Sequence, residues 1–330
     1  MEWLVARMAE RGFRASVDDA GNAVGEIGEG PTHVVLLGHI DTVPGEIAVS
    51  VENDELVGRG AVDAKGPLAA FVAAATKPIA GLRVTVVGAV EEESPTSAGA
   101  RHRATLPAPD WCVIGEPSGW DAVTVAYKGR LAVRVALSRS ARHGAAPGMT
   151  CSEEALALWS TLRAAAERRT GDTDGFARLD CRLEGMSGGT SDGLVERAEL
   201  RVGYRIPPGI TTAELEAELR VIATEHVGEA TAAVERIGAE EPVRTSRATP
   251  LARAFVGAIA DAGGKVTFKV KSGTSDMNIL APAWGCPMVA YGPGDSRYDH
   301  TPIERLSLVD YARSIRILKS VLARARHPII

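Results

Sequence analysis

The chain has 330 residues, of which 37 are Lys or Arg and 42 are Asp or Glu, so its net charge is −5. This acidic balance argues against a general nucleic-acid binder, which needs an excess of basic residues. Apolar residues make up 45% of the sequence, yet no apolar run approaches the roughly 20 residues that a membrane span needs. We therefore expect a globular protein with neither a nucleic-acid nor a membrane partner.

The chain opens on a pattern typical of an amphipathic helix (residues 1–13) and not of a signal peptide. Four cysteines lie far apart and form no CxxC pair, so a cysteine-based zinc site is not expected. Cys112 and Cys286 lie in apolar, strand-like runs and are expected to be inert core thiols. These features suit a reducing cytoplasm, where we expect the protein to act.

The first third of the chain predicts an α/β layout. Residues 32–41, THVVLLGHID, form a short apolar run that ends in polar groups, which is typical of a buried parallel strand. A helix with Gly and Pro at its start is predicted over 66–77, and a second buried strand over 82–90. A third strand is predicted over 110–117, ending near Glu116. This strand–helix–strand order predicts a mostly parallel sheet.

The middle of the chain has a different pattern, in which apolar and polar residues alternate. Alternation predicts antiparallel strands with one solvated face. These strands are predicted over 122–139, 198–209 and 230–238. Helices are predicted over 152–169, with Ser152 as its cap, and over 211–226.

The first pattern returns from about residue 245, with a buried strand over 286–294 and a final helix. We therefore predict an α/β catalytic domain that is split by an insertion. Its two parts are expected over 1–117 and 239–330, and an inserted α+β lid domain over 118–238.

Side chains that commonly bind metals collect at the predicted strand ends. They are His39, Asp41, Asp63, Glu91, Glu92, Glu93, Glu116 and His300. In open α/β sheets, sites lie at the carboxyl ends of strands. Imidazole and carboxylate without thiolate suit zinc, cobalt or manganese. Two such ions, about 3.5–4 Å apart, need a bridging carboxylate and can share one activated water. The residues therefore predict a two-metal site.

His39 and Asp41 lie two residues apart, so on an extended strand end they share a face. Asp41 can then bond the non-ligating nitrogen of His39 and orient the ring. The alternative is an ordinary polar loop after a strand, and this motif alone leaves both interpretations open.

Five motifs, in chain order, resemble those of the co-catalytic zinc aminoacylase/carboxypeptidase metallopeptidases. They are GHIDTVPG, GRGAVDAKGPLAA, EEESPTSAGAR, GEPS and DHTPIE. Each motif is weak alone, but all five in order, from about residue 33 to 305, form a highly specific signal. The family includes acetylornithine deacetylase and succinyl-diaminopimelate desuccinylase. The resemblance implies a mostly parallel-sheet zinc-peptidase-like domain with an inserted lid, and a di-metal hydrolase that cleaves a linear amide.

The resemblance also implies a role for each site residue. The implied metal ligands are His39, Asp63, Glu93, Glu116 and His300, which hold two divalent ions per subunit, Zn²⁺ or Co²⁺. Asp63 would bridge both ions, Asp41 would orient His39, and Glu92 would be the general base.

Three adjacent glutamates allow two registers for the base and the ligand. If Glu91 is the leading acid, then Glu92 is the base and Glu93 the ligand, and the loop to Gly99 has the length found in desuccinylase-like relatives. The other register needs a loop one residue longer, so the resemblance favours the first. A free carboxylate in a partly desolvated site has a raised pKa and can accept a proton near neutrality, which suits Glu92.

The lid motif ARHGAAPG resembles one in which a histidine, here His143, reaches the partner subunit's active site and stabilises the oxyanion. This implies a homodimer formed through the lid. Arg205 and the loop with Gly273 and Thr274 match positions that hold the substrate carboxylate, a task that suits an arginine fork. The alternatives are a surface-loop histidine and a cross-strand surface charge.

Within the family, the motifs look most like the lysine-biosynthesis branch, which also serves arginine biosynthesis. Those enzymes release lysine, or ornithine, from the C-terminal glutamate of a small acidic amino-group carrier protein, LysW. The alternative is a small-molecule deacylase or a dipeptidase. An acidic carrier calls for a basic patch, and the candidates on the lid are Lys128, Arg130, Arg134, Arg139 and Arg142. A solvated strand face is the competing interpretation of these cations.

Two further expectations concern residues outside these motifs. Relatives usually begin with a further helix, so we expect this chain to lack a segment before residues 1–13. The other four histidines match no motif and are expected to be surface or hydrogen-bonded residues: His33, His102, His226 and His327.

Overall fold

The computed structural model describes residues 1–190 and 193–325. The strands, in chain order, are β1 (Arg14–Val17), β2 (Ala23–Ile27), β3 (Thr32–His39), β4 (Ser50–Glu52), β5 (Glu55–Val57), β6 (Leu82–Ala89), β7 (Trp111–Gly115), β8 (Ala122–Tyr127), β9 (Gly129–Ser140), β10 (Asp180–Thr190), β11 (Val195–Ile206), β12 (Thr231–Glu240), β13 (Val243–Arg244), β14 (Thr267–Lys271), β15 (Met288–Ala290) and β16 (Arg305–Ser307).

The helices are α1 (Glu2–Ala9), α2 (Lys65–Ala74), α3 (Ala98–Ala104), α4 (Cys151–Thr170), α5 (Thr212–His226), α6 (Pro250–Asp261), α7 (Met277–Trp284) and α8 (Leu308–Ala325). Short 3₁₀ turns span Gly175–Ala177 and Ser296–Tyr298. In the part of the chain described above, no helix combines the length and the apolar character needed to cross a membrane.

The chain divides into two compact units. The first contains Met1–Ala126, Arg244–Val270 and the described residues from Ser275 onward, and the second contains Tyr127–Val243 and Lys271–Thr274. The divisions at 126/127 and 243/244 lie somewhat later in the chain than the predicted domain boundaries.

The first unit is built on a sheet with the strand order β1-β2-β6-β3-β7-β15-β8-β13, in which β14 also pairs with β8. Its centre is parallel: β3 pairs with both β6 and β7, and β7 pairs with β15. The register aligns His39 with Ala89 and Gly38 with Gly115, so three strands end at the same edge. The residues that follow these strands are therefore neighbours in space.

Helices α2, α6 and α8 pack against this sheet and form the main core. Phe71 of α2 and Leu318 of α8 are buried with Val86 and Val113 of the sheet. A Cβ atom on Gly115 would lie 2.9 Å from Phe71 Cε2, so glycine is required for the close approach of α2 to the sheet. This packing holds the strand ends in fixed positions.

A small antiparallel sheet, β4-β5-β16, belongs to the same unit. Val57, the last residue of β5, pairs with Arg305, the first residue of β16. The loop that follows β5 carries Asp63, and the loop that precedes β16 carries His300. The start of the first loop therefore lies beside the end of the second.

The second unit is a four-stranded antiparallel sheet, β10-β11-β9-β12, with α4 and α5 packed on one face. Leu131 and Val133 of β9 are buried with Leu158 of α4 and Leu219 of α5. Both helices begin with a capping box, which satisfies two otherwise free N–H groups at each start. The cap of α4 is Thr150 and not Ser152, because Glu153 is the residue that completes the box.

The predicted fold class is confirmed: helices cover a mostly parallel central sheet, and a separate antiparallel sheet carries its own helices. One predicted strand differs. Residues 122–127 were expected to have a solvated face, but β8 is buried throughout and belongs to the first sheet. β8 lies between β15 and β13 in that sheet, and its polar residue Thr124 is buried, with Oγ1 3.0 Å from Ser118 Oγ.

Candidate metal centre

Histidine and carboxylate side chains of the first unit converge at the carboxyl edge of its parallel strands. Among the described residues, three groups have ligand atoms that all lie within 4.8 Å of one another. They are His39/Asp63/Glu116, Asp63/Glu93/His300 and His39/Glu92/Glu93. The sequence motifs that supply these residues are far apart in the chain, and the fold brings them together.

Asp63 belongs to two of these groups and offers one oxygen to each of two histidines. Its Oδ1 lies 3.1 Å from His39 Nε2, and its Oδ2 lies 3.0 Å from His300 Nε2. A carboxylate that faces two imidazole nitrogens with separate oxygens has the arrangement of a bridging ligand. The donor set, imidazole and carboxylate without thiolate, fits two divalent ions of the zinc or cobalt type.

His39 ends β3 and is almost fully buried. Its Nδ1 lies 3.0 Å from the backbone oxygen of Asp41 and 3.6 Å from the Asp41 carboxylate. That carboxylate accepts hydrogen bonds from the backbone N–H groups of Glu93, at 3.0 Å, and Glu92, at 3.3 Å. Asp41 therefore links the His39 strand end to the glutamate loop, a contact that the sequence did not predict.

The three glutamates have different environments because the backbone turns sharply at the first. Glu91 has a left-handed φ of 62° and is exposed, and its carboxylate accepts a hydrogen bond from Thr96. After this turn Glu92 and Glu93 both face the site, although neighbours on a regular strand point to opposite faces. The irregular strand end lets two adjacent glutamates reach one centre.

Glu93 and Glu92 differ in their partners. Glu93 Oε1 lies 2.9 Å from His300 Nε2, whereas Glu92 Oε2 lies 4.0 Å from His39 Nε2. Burial raises the pKa of Glu92 to about 8, and the charge of His39 opposes that rise. The negative charges of Asp276 and Glu93 contribute to this raised value. Glu92 is thus a carboxylate that holds a proton unusually well.

The histidines are surrounded by negative charge. The hydrogen bond that His300 donates to the Asp63 carboxylate is the main cause that raises the pKa of His300 to about 9. Burial alone would lower the pKa of His39, but its bonds to Asp41 and Asp63 raise it well above the usual value. Carboxylates that favour an imidazolium also favour a bound cation, which would replace the proton because ligation needs the neutral ring.

Glu116 follows β7, is 6% exposed and falls in the group with His39 and Asp63. Two of the three groups share Asp63 and form two donor sets: one adds His39 and Glu116, and the other adds Glu93 and His300. His300 itself adopts a left-handed φ of 59° in a loop and is about half exposed.

The predicted substrate-binding residues lie in the second unit. Arg205 Nη1 donates to Thr274 Oγ1 at 3.4 Å, and both residues are half-buried. Burial lowers the pKa of Arg205, and the nearby Arg130 charge adds to this. Gly273 is exposed with open space around it. His143 is exposed in the loop after β9, and its Nδ1 accepts a hydrogen bond from the Ala145 N–H at 3.1 Å.

The five cations proposed as a basic patch are all paired with carboxylates. Lys128 is fully buried and lies 2.6 Å from Asp180. The other pairs are Arg130–Glu240, Arg134–Glu235, Arg139–Glu196 and Arg142–Glu229. Because each charge is balanced locally, these residues do not form the predicted basic patch.

Asn22 is a buried residue at the site's edge that carried no sequence signal. Its Oδ1 accepts a hydrogen bond from the Val90 N–H at 3.0 Å, and its Nδ2 donates to the Gly99 oxygen at 3.2 Å. The Gly99 N–H donates to the Val90 oxygen at 3.1 Å. Asn22 thus closes the loop that bears the three glutamates. A Cβ on Gly99 would lie 2.3 Å from Asn22 Oδ1, which explains the glycine there.

Asp276 is a second residue that the site prediction omitted. It is 3% exposed, and its Oδ1 has no hydrogen-bond partner among the described residues. Burial raises its pKa to about 7, and the charge of Glu116 adds to the rise while that of His39 opposes it. Asp276 lies just after the loop with Gly273 and Thr274, but only the fold reveals its burial near the glutamates.

The histidines outside the motifs have ordinary partners where the chain is described. His33, His102 and His226 lie against Thr85, Asp18 and Thr161 respectively. His327 lies outside the described residues.

Sequence comparison relates nearly the whole chain to one group of enzymes. The sequence model of peptidase family M20/M25/M40 matches residues 35–324. The LysW-lysine hydrolase of Deinococcus radiodurans is 44% identical over 326 residues, covering 96% of this chain and 89% of that protein. The LysW-lysine/LysW-ornithine hydrolase of Saccharolobus islandicus is 28% identical, covering 86% of this chain and 78% of that protein.

Solved structures share the fold at low sequence identity. The M20 family metallo-carboxypeptidase Sso-CP2 from Sulfolobus solfataricus aligns with a TM-score of 0.73 and 18% identity, covering 98% of this chain and 93% of the other. A tripeptidase from Staphylococcus aureus aligns with a TM-score of 0.79 and 18% identity, covering 99% and 92% of the two chains.

Proposed function

The chain belongs to peptidase family M20/M25/M40, and we propose that it releases lysine from the C-terminal glutamate of a small acidic carrier protein, LysW. Ornithine would be released in the same way. The observation that carries the proposal is the pair of donor sets that share Asp63, beside the buried Glu92. The 44% identity to a LysW-lysine hydrolase over 96% of the chain supports the choice of substrate.

Two divalent ions, Zn²⁺ or Co²⁺, fit the donor sets. One set would be His39, Glu116 and Asp63, and the other Glu93, His300 and Asp63. Ions bound there would polarise the amide carbonyl and lower the pKa of a water molecule. Asp41 contributes by holding both the His39 ring and the N–H groups of the glutamate loop.

Glu92 is the proton carrier in this proposal. Its carboxylate would accept a proton from water as the water oxygen attacks the amide carbon. It would then donate that proton to the lysine nitrogen as the C–N bond breaks, leaving a free amine and the glutamate carboxyl group of the carrier, whose proton passes to the amine or to solvent. The raised pKa of Glu92 suits both steps, because the group binds a proton well yet releases it near neutrality.

Residues of the second unit would complete the site. Arg205, with Thr274 and Gly273, would hold the carboxylate of the released amino acid, since a guanidinium matches a carboxylate in shape and charge. His143 would stabilise the oxyanion in a second copy of the chain. This requires a homodimer formed through the second unit, and light scattering of the purified protein should give twice the chain mass.

We place the reaction in the cytoplasm, which suits the four free cysteines. The five cations of the second unit are neutralised, so the acidic carrier would be recognised chiefly through its C-terminal glutamate and the attached lysine.

The proposal is tested by comparing substrates with the purified protein supplied with Zn²⁺ or Co²⁺. We expect lysine release from the lysine-loaded carrier and no hydrolysis of N-acetylornithine, succinyl-diaminopimelate or free dipeptides. Glu92→Gln serves as the control for contaminating hydrolases. Efficient hydrolysis of a free acylated amino acid, with no release from the carrier, would instead identify a small-molecule deacylase.

A further inference from the structure

A buried ion pair joins the loops that bear the predicted metal ligands. Glu304 is 1% exposed and Arg59 is 14% exposed, and Arg59 Nη1 donates to Glu304 Oε2 at 2.9 Å. Neither residue belongs to the donor sets described above. The inference drawn here from this pair rests on the proposed two-metal function.

Glu304 holds the backbone that carries Asp63. Its Oε1 accepts hydrogen bonds from the N–H groups of Val62, at 2.9 Å, and Asp63, at 3.0 Å. Both oxygens of this carboxylate are therefore occupied, one by the Asp63 loop and one by Arg59. Since Asp63 must present one oxygen toward each histidine, a fixed backbone at this residue matters more than at the other ligands.

Arg59 connects the remaining loops. Its Nη1 also donates to the backbone oxygen of Thr301 at 3.2 Å, next to His300. Its Nε donates to the backbone oxygen of Gly45 at 3.0 Å, in the loop that follows Asp41. One guanidinium thus joins the chain segments after His39, before Asp63 and after His300.

The position of the pair follows from the small sheet. The ladder between β5 and β16 ends at Val57 and Arg305, where the two loops separate. Glu304 and Arg59 are the first side chains beyond that point that reconnect the loops. A buried ion pair adds little net stability, because desolvation offsets most of the attraction, so its main effect here is positional.

We propose that Glu304 and Arg59 are positioning residues that set the metal affinity of the centre by fixing the Asp63 loop against the His300 loop. Residues that support metal ligands typically change affinity by about 10–100-fold when they are replaced. A purely structural pair would change the stability of the protein and leave the affinity for metal unaltered.

The test compares Glu304→Gln with Glu154→Gln, which breaks a buried arginine–carboxylate pair of the second unit, where Arg139 lies 3.0 Å from Glu154. Glutamine at 304 can still accept from the two N–H groups, but its own NH₂ then faces the Arg59 donors. Zn²⁺ affinity is measured by competition with a chromophoric chelator, and the melting temperature of the metal-free protein by calorimetry.

We expect Glu304→Gln to weaken Zn²⁺ binding by about 10–100-fold and to recover much of its activity at excess Zn²⁺. Glu154→Gln should bind Zn²⁺ like the wild type. If Glu304→Gln does not fold, Arg59→Lys, which cannot make all three bonds of the guanidinium, should show the same loss of affinity.

Two results would overturn these ideas in different ways. Unchanged Zn²⁺ affinity in folded Glu304→Gln or Arg59→Lys would refute the positioning role and leave the proposed function intact. A wild-type protein that takes up no Zn²⁺ or Co²⁺ would refute the proposed function itself.

Discussion

At the residue scale, three adjacent glutamates acquire three environments from one turn of the backbone. Glu91, with its left-handed φ, points to solvent and bonds Thr96. Glu92 is largely buried and has a raised pKa, and Glu93, which is equally shielded, contacts His300. Adjacent identical residues are chemically distinct here because burial and partners, not sequence, set the properties of each carboxylate.

These environments predict different effects of removing each carboxylate. Glu92→Gln should retain both metal ions and lower kcat by about 10²–10⁴-fold, the usual contribution of a general base. Glu93→Gln should reduce metal occupancy, since it removes a donor of the His300 set. Metal content by mass spectrometry and kcat with the carrier substrate separate the two.

Glu91→Gln is the matched control for the glutamate variants. It should change neither metal content nor kcat, because its carboxylate is exposed and turned toward Thr96. A near-normal rate in Glu92→Gln would mean that the base and the ligand are assigned in the wrong register.

The lowered pKa of His33, which lies away from the metal centre, predicts that part of the protein's stability depends on pH. Burial, with the charge of Arg83, lowers its pKa to about 4, and its Nε2 lies 2.9 Å from Thr85 Oγ1. Between that value and the unfolded value of about 6.5, the unfolded chain binds a proton that the folded protein does not. Stability from this residue is therefore complete above about pH 6.5 and falls as the pH drops toward 4.

His33→Gln can keep a hydrogen bond to Thr85 and removes this titration. Urea unfolding at several pH values in that window should show a shallower loss of stability on acidification than in the wild type. Identical pH slopes for the two proteins would contradict the lowered pKa.

At the element scale, periodicity predicted the long elements well. The predicted helix over 211–226 corresponds to α5 (Thr212–His226), and the predicted strand over 82–90 to β6 (Leu82–Ala89). The edge strand β10 (Asp180–Thr190) was not predicted, because its sequence is rich in Gly and polar residues and its initial alternation breaks off after Glu184. Its extended form depends on pairing with β11, which is a contact between separate segments.

The hydrogen bonds that close the glutamate loop predict that Asn22 and Gly99 together hold it in place. Asn22→Ala leaves the Val90 N–H without its acceptor, which should lower the free energy of unfolding by about 1–3 kcal/mol. Gly99→Ala should also destabilise, since its Cβ would collide with Asn22. Both variants should reduce kcat, because the loop carries Glu92. Chemical denaturation and steady-state kinetics measure the two effects.

Gly228→Ala is a suitable control for the glycine substitution. Nothing lies within 4 Å of a Cβ at Gly228, so its stability should change by no more than about 0.5 kcal/mol. If Asn22→Ala and Gly99→Ala were equally neutral, Asn22 would not be the residue that closes the loop.

At the scale of the whole molecule, the converging carboxylates make stability depend on bound cations. Removing metal with a chelator should lower the melting temperature, because Asp63 then lies close to Glu93 and to Glu116 without a cation to balance their charges. Zn²⁺ at about 100 times its Kd should restore about 2.7 kcal/mol of stability for each ion bound. Mg²⁺, which prefers octahedral oxygen ligands, should restore far less and is the control. A melting temperature indifferent to the chelator would contradict a two-metal centre.

The sequence alone determined the fold class and the family of the protein. Apolar strands that end in His, Asp and Glu are local patterns, and five ordered motifs identify the family without any structure. Metal-type residues at strand ends follow from the same patterns, because parallel strands end at one edge of a sheet.

Only the tertiary structure decided how these residues are supported and balanced. Asn22 bonds a residue 68 positions away, and Glu304 bonds Asp63 across 241 positions. The cations of the second unit are neutralised by carboxylates from other strands and helices, which the alternation of β9 did not reveal. Periodicity records the local environment of a segment, whereas burial, pKa and ion pairing depend on contacts between residues that are distant in the chain.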